Sequence, residues 1–123
     1  MANEISVGIS GSLSNTKLTE SFNYGTLKFD QTTVGSHGPT VIVPSSGEIE
    51  FNKGDIGTLG WMFIRNLDTT NYIEWGPKSL GSMVGVGRIE PGECVALRLK
   101  PGVVIRWQAN TAPVKIKVLL LED

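Results

Sequence analysis

The chain has 123 residues, 40% hydrophobic and 19% charged, with 11 basic and 12 acidic side chains and a formal charge of -1. That length suits one domain with one core, and a near-neutral balance without a basic stripe excludes nucleic-acid binding through phosphate attraction alone. The single cysteine, Cys94, excludes an intrachain disulfide, and the longest apolar run, Val118–Leu121, is far too short to cross a bilayer.

Met1, Ala2 and Asn3 lead directly into a strand-like pattern, without the basic and apolar regions of a secretory signal. Ile5, Val7 and Ile9 alternate with Ser6, Gly8 and Ser10, which predicts a strand with one thin face. Gly11–Thr16 reads as a polar loop, and 1–16 as an N-terminal arm on a single domain spanning 1–123. Phe22 and Tyr24 share one parity while Leu27 and Phe29 share the other. Gly25 lies at the switch, where a β-bulge would flip the inward face. A loop is expected over Thr32–Thr40, then a short buried strand at Val41–Val43. Ile49 and Phe51 point inward, and Lys53-Gly54-Asp55 is a turn.

Trp61–Asn66 is apolar on both parities, as in a central strand or one covered on its second face. Asp68–Asn71 is a turn, Tyr72–Trp75 a returning strand and Gly76–Gly87 a long glycine-rich loop. Pro91-Gly92 and Pro101-Gly102 are tight turns, since proline fixes the φ of a turn's second residue and glycine accepts the positive φ that follows. They divide Arg88–Gln108 into three short strands, read as an antiparallel meander. In the last strand Val114, Ile116, Val118 and Leu120 face inward, and Leu119 and Leu121 leave an apolar outer strip. No long 3.6 period appears, so the predicted fold is an all-β, single-domain antiparallel β-sandwich, with jelly-roll and Greek-key connections both open. Its predicted core is Ile5, Val7, Phe29, Ile49, Phe51, Ile64, Leu97, Ile105 and Ile116.

Reactive groups are sparse. His37, the only histidine, reads as an exposed loop residue, and Cys94 as a small, partly buried packing residue. One Cys and one His do not make a zinc site. Asp68-Thr69-Thr70-Asn71 has turn composition rather than a calcium loop. Glu48 and Glu50 project in parallel from one strand, as a solvated face or as partners of Lys115 and Lys117, not across a glycosidase cleft. Gly81–Gly87 lacks the Gly-Lys-Ser/Thr of a phosphate loop. No catalytic, metal or cofactor residues are predicted. Trp61 and Trp107 read as core or subunit interface. Trp75, with Tyr72, could instead stack on a sugar.

Gly57–Asp68, Tyr72–Gly76, Arg88–Glu93 and the Lys100-Pro101-Gly102 turn together resemble small β-sandwich structural proteins of tailed bacteriophages. The resemblance covers roughly residues 57–121, about half the chain. It implies a virion component made in the host cytoplasm. A capsid cement or decoration protein is the leading expectation; a tail or fibre part, or a carbohydrate-binding module for host recognition, is the alternative. It also implies a homo-oligomer, a trimer by analogy, contacting a major capsid or tail protein, with no enzyme activity. Apolar residues expected at such contacts are Ile5, Val7, Met83, Val84, Val86, Leu119 and Leu121, and Tyr72 and Trp75 are the expected glycan contacts.

Overall fold

Most of the period-two segments become strands in the computed structural model, which describes residues 5–30 and 35–122. Among the described residues there are twelve strands, every pair antiparallel, and no helix. The protein is all-β, as predicted. The expected lead-in at 1–3 and the part of the expected loop at 32–34 lie outside the described residues.

The chain divides into two compact units, Met1–Thr33 and Val34–Asp123. The first is a long hairpin of β1 (Ile5–Ser14) and β2 (Thr19–Phe29). The predicted polar loop at 11–16 is therefore strand as far as Ser14. Asn15 makes the turn, its side-chain oxygen accepting from the backbone N–H of Lys17 and Leu18. The predicted bulge is present. Ile9 faces Gly25 but Ser10 faces Asn23, so Tyr24 is the extra residue and Gly25 takes a φ of 74°. The bulge moves Phe22 onto the face carrying Leu27 and Phe29. Phe22 crosses Gly11 so closely that a Cβ there would meet its ring at 2.6 Å.

The second unit holds two five-stranded sheets around one core. The first sheet runs β10 (Cys94–Arg98), β6 (Leu59–Asn66), β12 (Val114–Glu122), with β3 (Ser36–His37) and β4 (Thr40–Val43) both on the far side of β12. The second runs β5 (Ile49–Glu50), β11 (Ile105–Ala109), β7 (Ile73–Ser79), with β8 (Ser82–Met83) and β9 (Gly87–Ile89) on β7. Both sheets contribute to the core, including Met62, Ile64, Ile116 and Val118 from one and Ile73, Ile89 and Trp107 from the other. The inward parity predicted for β12 holds: Val114, Ile116, Val118 and Leu120 are all fully buried. Of the predicted core, Phe51, Ile64, Ile105 and Ile116 lie in this cluster, and Ile49 and Leu97 pack against it.

Both Pro-Gly turns form. Glu93 donates to the Glu90 carbonyl and Val103 to that of Lys100, with Gly92 and Gly102 at φ 79° and 85°. The predicted meander does not. β9 joins β7, β10 joins β6, and β11 lies between β7 and β5, so successive strands alternate between sheets. Each turn reverses the chain as an arch over the core rather than as a hairpin. The predicted glycine-rich loop 76–87 is mostly strand: β7 runs to Ser79 and returns through Leu80-Gly81 into β8.

Where β6 ends, Asn66 is fully buried. Its amide donates to the carbonyls of Asn71 (2.9 Å) and Ile89 (3.0 Å), and its side-chain oxygen accepts from the Asp68 N–H (2.8 Å). Asp68 in turn accepts from the N–H groups of Asn71 and Thr70, both at 2.7 Å. Those bonds, with Asn71 contributing most, hold the Asp68 carboxyl below the usual aspartate range. A depressed folded-state pKa stabilises the fold above the unfolded value, and that contribution disappears as pH falls through the folded value. Asp68→Asn should therefore flatten the part of the acid-unfolding curve below about pH 4, measured by urea denaturation across a pH series.

Candidate functional site

In an antiparallel sheet, directly opposed residues share a face. Register therefore defines the outer surface of the first sheet row by row. Trp61 faces Arg98 on one side and Leu121 on the other; Phe63 faces Ala96 and Leu119; Arg65 faces Cys94 and Lys117. Lys115 faces Ile42. Met62, Ile64 and Asn66, the alternate residues of β6, point into the core. β6 is central, as its two apolar parities predicted, and its second face is this outer surface.

The Trp61 and Phe63 rings stack, with centroids 5.6 Å apart and planes inclined by 5°. The Arg98 guanidinium lies 5.7 Å from the Trp61 ring, a cation–π contact at the patch border. Trp61, Phe63 and Leu121 are half-buried, while Leu119 is 41% and Ile42 57% exposed. Arg65, Arg98, Lys115 and Lys117 flank the apolar centre, so the rim is basic. Lys117 is held by a hydrogen bond to the Gly38 carbonyl.

The residues predicted as contacts fall in three places. Leu119 and Leu121 belong to this outer face. Met83, Val84 and Val86 line the edge of the second sheet beyond β7, with Val84 and Val86 exposed. Their backbone crosses Gly76 so closely that a Cβ there would meet the Val84 carbonyl oxygen at 1.8 Å. Only glycine fits at 76. Ile5 and Val7 are 7% and 9% exposed, in the hairpin unit.

Tyr72 and Trp75 do not form a shared platform. Trp75 tilts against Trp107 on the inward face (6.3 Å, 35°), with Gly87 beneath its indole. Tyr72 has the Arg88 guanidinium over its ring at 5.1 Å.

Several readings of single residues need correction. Cys94 is exposed, because its parity opposes that of Val95 and Leu97 and places it on the outer face beside Arg65. His37 is half-buried in β3, opposite Leu120, rather than in an exposed loop. Glu50 lies 3.7 Å from Arg106 on the neighbouring strand β11, whereas Lys115 and Lys117 belong to the other sheet. Glu48 accepts from the Met83 N–H at 2.6 Å, tying the β7–β8 hairpin to the 44–48 segment.

Phe63 is the aromatic residue of this outer face that the expected contacts omit. Its signal was available, since it shares parity with Trp61 and opposes Ile64. No helix among the described residues is long and apolar enough to cross a membrane. The chain matches no protein-family model and no curated protein.

Proposed function

We propose that the chain is a non-enzymatic structural subunit of a bacteriophage virion, most specifically a capsid cement or decoration protein. One observation carries this reading: an aromatic and aliphatic patch stands outward on the first sheet, away from the core that the alternate residues of the same strands fill. A wedge of stacked Trp61 and Phe63 with Leu119 and Leu121 suits the buried centre of a subunit contact. The basic rim of Arg65, Arg98, Lys115 and Lys117 favours an acidic border on the partner, either another copy or the major capsid or tail protein. Covering apolar area stabilises an assembly by roughly 25 cal/mol per Å², before the cost of association. Each bound copy would thereby lower the free energy of the shell.

The test is co-sedimentation with particles of the phage that encodes the chain, together with immunogold electron microscopy. Phe63→Glu should keep the thermal transition within a few degrees of wild type and weaken particle binding at least about tenfold. Wild-type protein that leaves particles undecorated, or a Phe63→Glu variant that binds as well as wild type, would refute the reading.

A further inference from the structure

Leu80 is the most exposed apolar residue among those described, at 105% of the reference area. It occupies the tip of the β7–β8 hairpin, where Ser79 pairs with Ser82 and only Leu80 and Gly81 form the loop. Its φ is 50° and that of Gly81 is 91°. Two successive left-handed residues make a type I′ turn, whose first position favours Asn, Asp or Gly. Leucine therefore holds a backbone it disfavours and puts its whole side chain in water. Neither local turn chemistry nor folding explains it. The hairpin is also braced, because Glu48 holds the Met83 N–H.

A receptor of matching size lies at the same end of the same unit. A cavity of about 260 Å³ opens between the two sheets, lined by apolar side chains that include Phe51, Met62, Val104 and Ile105 and also by Glu50, Lys53 and Thr58. Lys53 is tied to the Gly57 carbonyl. A cavity of about 150 Å³ already accepts benzene, so this volume has room for a leucine side chain. Register fixes the relative placement. Ile105 faces Pro77, and Glu50 faces Arg106, so β7 and β5 flank β11. The hairpin tip extends past the level of Ile105, about two strand spacings, or roughly 10 Å, to the side of the cavity.

We propose that two copies of the chain associate end to end, each inserting Leu80 into the other's cavity. A knob and a hole side by side at one end are exchanged by a two-fold axis perpendicular to the strands. A rotation about an axis parallel to the strands would leave every knob facing the same way, so this contact makes pairs and not rings. Lys78 stands beside the knob, and the hole carries both Lys53 and Glu50, the latter 3.7 Å from Arg106. Val84 (48% exposed), Val103 (39%) and Val104 (42%) add apolar surface around them. With Leu80 they amount to roughly 400–500 Å² per copy, or about 800–1,000 Å² for a pair, the size of a weak, reversible contact. None of the aromatic outer face is used, so this pairing and the particle contact stand or fall separately.

The test is sedimentation velocity of the full chain over a concentration series, alongside thermal unfolding of dilute protein. Wild type should pass from monomer to dimer. Leu80→Asn should weaken dimerisation at least about tenfold and at the same time raise the melting temperature by a few degrees, because Asn-Gly is the preferred pair for this turn. A merely structural Leu80 would not move the two readouts in opposite directions. Val104→Asp should also weaken pairing, and the double variant should pair no worse than the weaker single one. Wild type that stays monomeric throughout, or Leu80→Asn that dimerises as tightly as wild type, would overturn the proposal. So would a monomeric wild type whose particle binding is lost on Leu80→Asn, since Leu80 would then enter a different protein.

Discussion

Trp107→Ala is expected to cost about 3–5 kcal/mol of folding free energy, the range for emptying a large aromatic site. Folded domains hold only about 5–15 kcal/mol in total, so a large share of the stability should go. Trp107 is fully buried in the central strand of the second sheet. It stacks on Phe51 (4.7 Å, 16°) and leans on Trp75, with Ile49 and Trp75 as its cross-strand neighbours. Three aromatic rings, from β7, from β11 and from the residue that follows β5, thus meet at one point, and no single neighbour can move to fill the gap. Its indole N–H reaches no protein acceptor. Trp107→Phe, which removes that donor and keeps a ring, should therefore cost much less than the alanine variant. Equilibrium denaturation in guanidinium chloride measures both, and equal losses would show that the ring contacts are not what matters.

The second large effect belongs to Asn66→Leu, expected to destabilise by about 2–4 kcal/mol although the two side chains branch alike and have the same number of heavy atoms. The substitution strands the carbonyls of Asn71 and Ile89 and the N–H of Asp68, which now bond to the Asn66 side chain. Through Ile89 that side chain ties the end of β6 in one sheet to β9 in the other. The Asn66 backbone also accepts from Gly92 N–H (3.2 Å) and donates to the Glu93 carbonyl (2.9 Å), so the Pro91-Gly92 turn is anchored to the same residue. Asn66→Asp keeps the acceptor for Asp68 but turns an oxygen toward two carbonyls, and it should be at least as damaging. Urea denaturation near neutral pH checks both variants.

Strands and turns were readable because their causes are local. Parity alone placed Val114, Ile116, Val118 and Leu120 in the core, and the Gly25 bulge followed from a parity switch beside a glycine. Pairing was not readable, because a turn fixes where the chain reverses and not which sheet receives it. Pro91-Gly92 has the same chemistry whether it joins neighbours in one sheet or arches across a core. The glycines of 76–87 misled for a related reason. Gly76 and Gly87 are small because backbone and an indole pass over them, not because the segment is a loop. For the candidate site, the outward strip of β12 was legible from Leu119 and Leu121, and parity set Phe63 beside Trp61, but a strand apolar on both sides does not say which of its faces is the outer one. Leu80 gave no sequence signal, since one leucine among glycines acquires meaning only when its backbone is left-handed and its side chain bare.

Cys94 gives the outer face a chemical handle. It is the sole thiol of the chain, stands exposed, and lies one row along the outer face from Ala96, Phe63 and Leu119. A maleimide dye attached there would occupy a single known address at the border of the aromatic patch. Its emission would then report when that patch is shielded from solvent, giving a real-time optical readout without a fused tag.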